Sequence, residues 1–358
     1  MSDDFLDEVA AIAADQTVAK LRAERDAANK ALRAARAEVD RLECEVDTLT
    51  AIDTAKVRPK KWGTKSPRGR RPHATATLLL SDWHFDEVVN PAELVGPDGQ
   101  PLNAYNRSIA EQRLRRCIDG VRTVATELLS WEWDGIVLQL GGDLVSGGIH
   151  DELVDTNEGV SVIDTVDHWI DPLASAINGL LDVFPKVHVV SVCGNHGRMS
   201  RKPRAKGRVR SNFDWLIARS LIRHTAPDER VSWSVPDSAD AYWEAYGHRH
   251  LLTHGDQARG GSGISGLLTP LSLLDHRKRK RDAAAGATFD HMWLGHWHTF
   301  INGPGWTVNG SGKGIDEYAY VSNFGLEPPQ QAFGVITPEH NVTTVIPIYC
   351  ADRDAEGW

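Results

Sequence analysis

The chain has 358 residues, 41% of them hydrophobic and 25% charged, with a formal net charge of -9. Those proportions are ordinary for a globular protein and exclude a disordered or fibrous chain. No apolar run approaches the roughly 20 residues of a membrane span, and the acidic start MSDDFLDEVAAIAAD lacks the basic flank of a signal peptide, so a soluble, cytoplasmic protein without a membrane partner is expected.

In chain order, residues 1–52 read as one long helix without Pro or Gly. With Val18 at position a, the a series is Val18, Arg25, Leu32, Val39 and Val46, and the d series is Leu21, Ala28, Ala35, Leu42 and Leu49. Nine of these ten are apolar, which predicts a coiled coil and hence a homodimer; the alternative is a single solvated helix. Residues 53–74 read as a linker whose core, KVRPKKWGTKSPRGRRP, has eight Lys/Arg, no acid, and Pro and Gly that prevent regular structure. It is either a solvated hinge or a basic arm for a phosphate backbone.

From residue 75 to 358 the pattern becomes that of an α/β domain. Short apolar runs (ATATLLL, GIVLQL, VHVVSV, HRHLLT, HMWLG) alternate with amphipathic stretches at 107–131 and 161–183. The closing runs TVNGSG, QAFGVITPE and NVTTVIPIY suggest a second, antiparallel sheet. Cys44, Cys117, Cys193 and Cys350 stand far apart, as free thiols do in a reducing compartment.

Each of the five apolar runs in the middle of the chain ends in metal-type residues. The first leads into Ser81-Asp82-Trp83-His84, where residues two apart on an extended chain share a face and can grip one ion. The second leads into Gly141-Gly142-Asp143, and the third into Cys193-Gly194-Asn195-His196. The fourth leads into His254-Gly255-Asp256, and the fifth into Gly295-His296-Trp297-His298. One such cluster says little. Five at the carboxyl ends of predicted strands point to a site, because open α/β sheets bind their ligands there. Asp, Asn and His without Cys suit a divalent ion such as Mn²⁺, Mg²⁺, Fe²⁺ or Zn²⁺.

The order D-x-H, G-D, G-N-H, H, G-H-x-H resembles the calcineurin-like metallophosphoesterase superfamily, over roughly residues 75–310. The resemblance implies an αββα double-sheet sandwich, here preceded by the N-terminal coiled-coil helix. It further implies two divalent ions, most simply Mn²⁺. Asp82, His84 and His298 would hold one, and Asn195, His254 and His296 the other. Asp143 would bridge them, and His196 would act as general acid.

Two positions depart from the family. Ser146 stands where the phosphoprotein phosphatase branch has the Asp that orients the catalytic His, and Gly197 follows G-N-H where many members have an acid. A protein phosphatase is thereby disfavoured.

Residues 198–210, RMSRKPRAKGRVR, carry seven Lys/Arg and no acid directly after His196. Arg198, Arg201, Lys202 and Arg204 are therefore expected on substrate, joined by His150 from the polar segment 147–158, whose alternative role is helix capping by Thr156 or Asn157. Arg277–Arg281, RKRKR, forms another basic run, and Trp62 and Trp83 are candidate base-stacking residues, with core packing the alternative for Trp83. DNA is the expected substrate, and the pattern is similar to the double-strand-break repair nuclease branch and to phage-encoded nucleases of that type. Two other readings stay open: a small-molecule or cyclic-nucleotide phosphoesterase, and a non-catalytic DNA-binding scaffold with a vestigial site.

Overall fold

The computed structural model describes residues 3–53, 72–159, 161–258 and 266–358. The chain divides into two compact units, Met1–Lys56 and Val57–Trp358. The first contains one helix, α1 (Asp3–Asp53), about 75 Å long at 1.5 Å per residue. Its heptad residues Val18, Leu21, Leu32, Val39, Leu42 and Val46 are 43–58% exposed. Arg41 pairs with Glu38 and Glu45 one turn to either side, a favourable spacing on a solvated helix. Residues 54–71, nearly all of the expected basic linker with Trp62, lie outside the described residues.

The second unit runs β1 (His73–Leu80), α2 (Arg107–Thr123), β2 (Glu132–Leu140), α3 (Asp151–Thr156), α4 (Val162–Leu181), β3 (Val187–Ser191), α5 (Phe213–Thr225) and β4 (Val231–Ser234). Then follow β5 (Asp240–Ala245), β6 (His248–Thr253), α6 (Leu268–Ala284), β7 (His291–Leu294), β8 (Ile301–Gly303), β9 (Trp306–Val308), α7 (Glu317–Val321), β10 (Gln330–Thr337) and β11 (Asn341–Tyr349). One sheet has the order β11-β10-β1-β2-β3-β4, and the other β5-β6-β7-β9-β8. In the first, β1 to β4 are parallel; in the second, β6, β7 and β9 are parallel.

The layers follow from burial. Leu79, Val137, Val190 and Ile336 of the first sheet pack against Trp243, Leu252 and Trp293 of the second. The outer face of the first sheet takes α4, whose buried Val166, Trp169, Leu173, Ile177 and Leu180 recur at helical spacing. The outer face of the second takes Leu271 and Leu274 of α6. Two sheets back to back, with helices outside, make an α/β sandwich. Because β1 is covered on both faces, its seven consecutive positions Ala74–Leu80 are all buried, and it reads as an unbroken apolar run rather than an alternation.

The closing strands correct one expectation. They do not form a sheet of their own. β10 and β11 extend the first sheet antiparallel beside β1, while β9 joins the second sheet parallel to β7. All eight positions of β10 are buried, so it is an interior strand that needs two paired neighbours.

Candidate metal centre

Five strand ends, those of β1, β2, β3, β6 and β7, open onto one rim, and backbone hydrogen bonds tie the loops that leave them. Asp82 N–H donates to Gly142 O at 3.1 Å, His84 N–H to Asp143 O at 3.2 Å and Gly295 N–H to His254 O at 2.9 Å. Their two-residue spacing predicts Asp82 and His84, and His296 and His298, on extended chain. Their backbones are instead left-handed, with φ of 57°, 49°, 74° and 51°. Asp143 joins them at 50°, so five of the eight non-glycine residues of positive φ among the described ones are ligand candidates. Such a conformation costs about 1 kcal/mol or more each and persists only where the surroundings over-determine it. The pairs converge through sharp turns, not through strand alternation.

The turns gather two groups of three, Asp82–His84–His298 and Asp143–His254–His296, each with ligand atoms within 4.8 Å of one another. His84 Nε2 lies 3.2 Å from His298 Nε2, which lies 3.4 Å from Asp82 Oδ1. His254 Nε2 lies 2.9 Å from Asp143 Oδ2 and 3.2 Å from Asn195 Oδ1. Ligands about 2.1 Å from one ion at tetrahedral or octahedral angles stand about 3.0–3.4 Å apart, so both donor sets fit a divalent ion. The outer ring nitrogens are committed elsewhere: His254 Nδ1 meets Gly141 O at 2.9 Å, and His84 Nδ1 meets Ser146 Oγ at 2.7 Å. Those contacts aim each Nε2 inward, as metal-binding imidazoles require.

Asp143 sits at the middle. Its Oδ1 accepts from His196 N–H at 2.7 Å, and a Cβ on Gly194 would come within 2.1 Å of that oxygen, so only glycine fits there. Burial alone would raise the Asp143 carboxyl, but the surrounding imidazoles, His254 foremost, hold it well below the usual range. Burial likewise opposes charge on His254, yet the Asp143 carboxylate raises that imidazole to about 10. Asp82, His84, Asp143 and His254 are fully buried; Asn195, His196, His296 and His298 form the accessible side.

Among the described residues no carboxylate bonds the His196 ring. The ring lies 4.8 Å from that of His84 and 5.6 Å from that of the exposed His150, its Nδ1 is buried without a hydrogen bond, and burial pushes it below the ordinary histidine range. Both departures noted in the sequence have a local reason. A side chain at Gly197 would begin 2.6 Å from Asn212 Oδ1 and 3.1 Å from Asp214 Oδ2. Ser146 serves His84 instead, and its hydroxyl donates a hydrogen bond to Glu87 Oε2 at 2.5 Å. Glu87 in turn accepts from the buried Lys313, which also pairs with Asp316.

Sequence reasoning missed these supports. Asp214, buried in α5, accepts from the backbone N–H groups of Asp143, Leu144 and Gly194. Burial, aided by Asp143, raises its carboxyl to about 7. Asn212 caps α5 and donates to Gly194 O. An acid within the apolar start of a helix, Phe-Asp-Trp-Leu-Ile, was the available signal.

The basic and aromatic candidates divide. Trp83 is fully buried, stacks on Phe85 and donates to Gln331, so it is a core residue and does not reach a base. Arg198 spends its guanidinium on the carbonyls of Asn195, Ser200 and Arg201. Arg201 pairs with Asp151, whereas Lys202 and Arg204 are exposed. In the run 277–281, Lys278 and Arg281 bind Asp240 and Arg279 binds Asp275, leaving Arg277 and Lys280 exposed on α6. The polar segment 147–158 is mostly structural. Asn157 donates to Asp86 and Gly147, Glu158 accepts from Arg107 N–H, and His150, not Thr156 or Asn157, stands at the start of α3.

A larger concavity, about 600 Å³ between α2 and β11, is lined by Arg115, Ile348 and Tyr349 and holds none of the ligand candidates. Donor chemistry, not volume, marks the centre.

No family model matches the chain, and no curated protein matches it. Among solved structures it is similar to one described as "Putative 5'-Nucleotidase from Staphylococcus aureus in complex with alpha-ketoglutarate", at 10% identity and a TM-score of 0.31. The match covers 78% of this chain and 55% of that one, so this chain spans about half the length of that structure. The chain's two-sheet sandwich and its paired sets of divalent-ion donors therefore define it by geometry.

Proposed function

We propose that the chain is a dinuclear metal-dependent phosphodiesterase whose substrate is DNA, acting in the cytoplasm as a dimer formed through α1. The observation that carries the hydrolase reading is the pair of adjacent donor sets with inward-aimed nitrogens. Asp82, His84 and His298 would hold one ion, and Asn195, His254 and His296 the other, with Asp143 between them. When bound, the ions supply Lewis-acid activation of water and neutralise charge on phosphoryl oxygens. His196, on the accessible side, would donate a proton to the leaving oxygen. The hard-to-borderline donors suit Mn²⁺ first, with Mg²⁺, Fe²⁺ and Zn²⁺ as rivals.

Support for DNA comes from the exposed Lys202 and Arg204 beside the centre, and from the eight Lys/Arg of segment 56–72. Support for the dimer comes from the exposed apolar heptad positions of α1. No helix among the described residues is long and apolar enough to cross a membrane. The neutralised cations of 277–281 favour a second reading, a small phosphodiester as substrate.

One experiment separates the readings. The full chain with Mn²⁺ is given labelled linear, circular and single-stranded DNA, with bis-p-nitrophenyl phosphate alongside. Cleavage of DNA, falling steeply as salt rises, is expected. Cleavage of the small diester alone removes DNA, and no cleavage with no bound ion leaves a scaffold.

A further inference from the structure

A second cavity, of about 50 Å³, opens beside the centre. It is several times the minimum that one water needs. Its walls include Asn195, Arg198, Arg204, Arg208 and Asp256. Asn195 is shared with the metal centre, where its Oδ1 lies 3.2 Å from His254 Nε2. The lining thus sets three guanidiniums against one carboxylate, directly against the place where a phosphoryl group would be held.

The three arginines are not equivalent. Arg208 is locked by two hydrogen bonds to Asp256, at 2.7 and 2.8 Å, and one to Cys193 O at 3.4 Å. Its Nε is buried without a partner. Arg198 is locked by the carbonyls of Asn195, Ser200 and Arg201. A guanidinium carries five N–H groups, and neither residue exhausts them on these partners. Arg198 therefore presents fixed positive charge whose ordering cost is already met within the fold, whereas Arg208, its charge balanced by Asp256, presents only spare N–H groups. Arg204 differs: it is exposed and makes no hydrogen bond or ion pair among the described residues. One movable cation facing one fixed one, with the spare N–H groups of Arg208 beside them, is suited to a compact anion.

We infer that this recess is a subsite for a second phosphate of the substrate, adjoining the phosphate held at the metal centre. The inference rests on the phosphodiesterase reading for the first phosphate. A second phosphate has two chemical sources, the next linkage of a polynucleotide backbone or the chain of a nucleoside polyphosphate. Arg204 closes on it, while Arg198 provides the field and Arg208 its spare N–H groups.

The test uses binding to the full chain loaded with Mn²⁺, read by calorimetry. The probe is a thymidine dinucleotide with a hydrolysis-resistant phosphorothioate link, compared with the same dinucleotide phosphorylated at its 5′ or 3′ end. One phosphorylated form is expected to bind about tenfold tighter, the scale of a charge-assisted contact. That gain should shrink in Arg204→Ala and vanish in Arg204→Glu. It should persist in Arg277→Glu, which makes the same charge change on the exposed face of α6. No gain in the wild type, or a gain that survives Arg204→Glu, overturns the subsite. Comparing ATP with AMP identifies the source, since a larger gain there than for the dinucleotide assigns a polyphosphate. Turnover of bis-p-nitrophenyl phosphate is measured in parallel. If it is absent while the Arg204-dependent gain is present, the phosphodiesterase reading falls and the subsite stands.

Discussion

The two sheets support their ligands differently. The first sheet contributes Asp82, His84, Asp143 and Asn195, and backs them with buried side chains. Asp214 collects three backbone N–H groups behind Asp143, and Ser146, Glu87, Lys313 and Asp316 form a chain behind His84. The second sheet contributes His254, His296 and His298, held from across the seam: Gly141 O orients His254, and the Asp82 carboxylate accepts from His296 N–H. His296 and His298 remain partly exposed. Asp143 and His84 thus stand in a rigid socket, while Asn195, His196, His296 and His298 form the accessible side. Buried polar networks of the first kind stabilise only when complete, because each unpaired member carries its full desolvation cost.

Breaking the centre itself should have the largest effect. Asp143→Asn should lower kcat at least about a thousandfold, since ion stabilisation is worth several kcal/mol. Native mass spectrometry should show fewer bound ions. His196→Ala should lower turnover about 10²–10⁴-fold with both ions retained; loss of an ion would place His196 among the ligands instead. On the socket side, Asp214→Ala strands three buried donors and should cost roughly 3–5 kcal/mol in chemical denaturation. A loss below about 1 kcal/mol would show that the loops hold without it. Ser146→Ala should weaken ion affinity about 10–100-fold while leaving the fold intact, as removal of an outer partner of a metal-binding imidazole does. An equal loss of thermal stability and affinity would make Ser146 a packing residue only.

The smallest effect concerns pH and lies away from the ligands. Burial lowers His188 to about 4 and His291 to about 3, from an ordinary value near 6.5. The folded state therefore keeps them neutral while the unfolded chain takes up protons. Their contribution is fully present above about pH 6.5 and lost as pH falls toward 4 and 3. Thermal melts from pH 7 to 4.5 should fall accordingly, and His188→Gln should flatten the slope.

The sequence made the strands legible where burial on both faces left continuous apolar runs, as in β1 and β3. It made the ligand candidates legible because each follows such a run directly. Sheet membership of β10 and β11 was not legible, since strand pairing over 250 residues, such as Leu79 opposite Ala332, leaves no local periodicity. Asp214 and Lys313 were hidden because a buried acid or base looks in sequence like any surface charge. The basic runs misled in the opposite direction. Composition shows cations at 277–281, but not the aspartates that α6 and β5 bring against them.

The wall behind Asp143 fixes how its carboxylate stands between the two donor sets. His196 N–H holds Oδ1, His254 Nε2 holds Oδ2 and Asp214 fixes the backbone on either side, so the carboxylate is restrained against swinging between one-oxygen and two-oxygen grips. Calcium sites depend on that freedom and on contacts of 2.3–2.6 Å. A carboxylate held in this way would favour ions of one size over a larger one such as Ca²⁺.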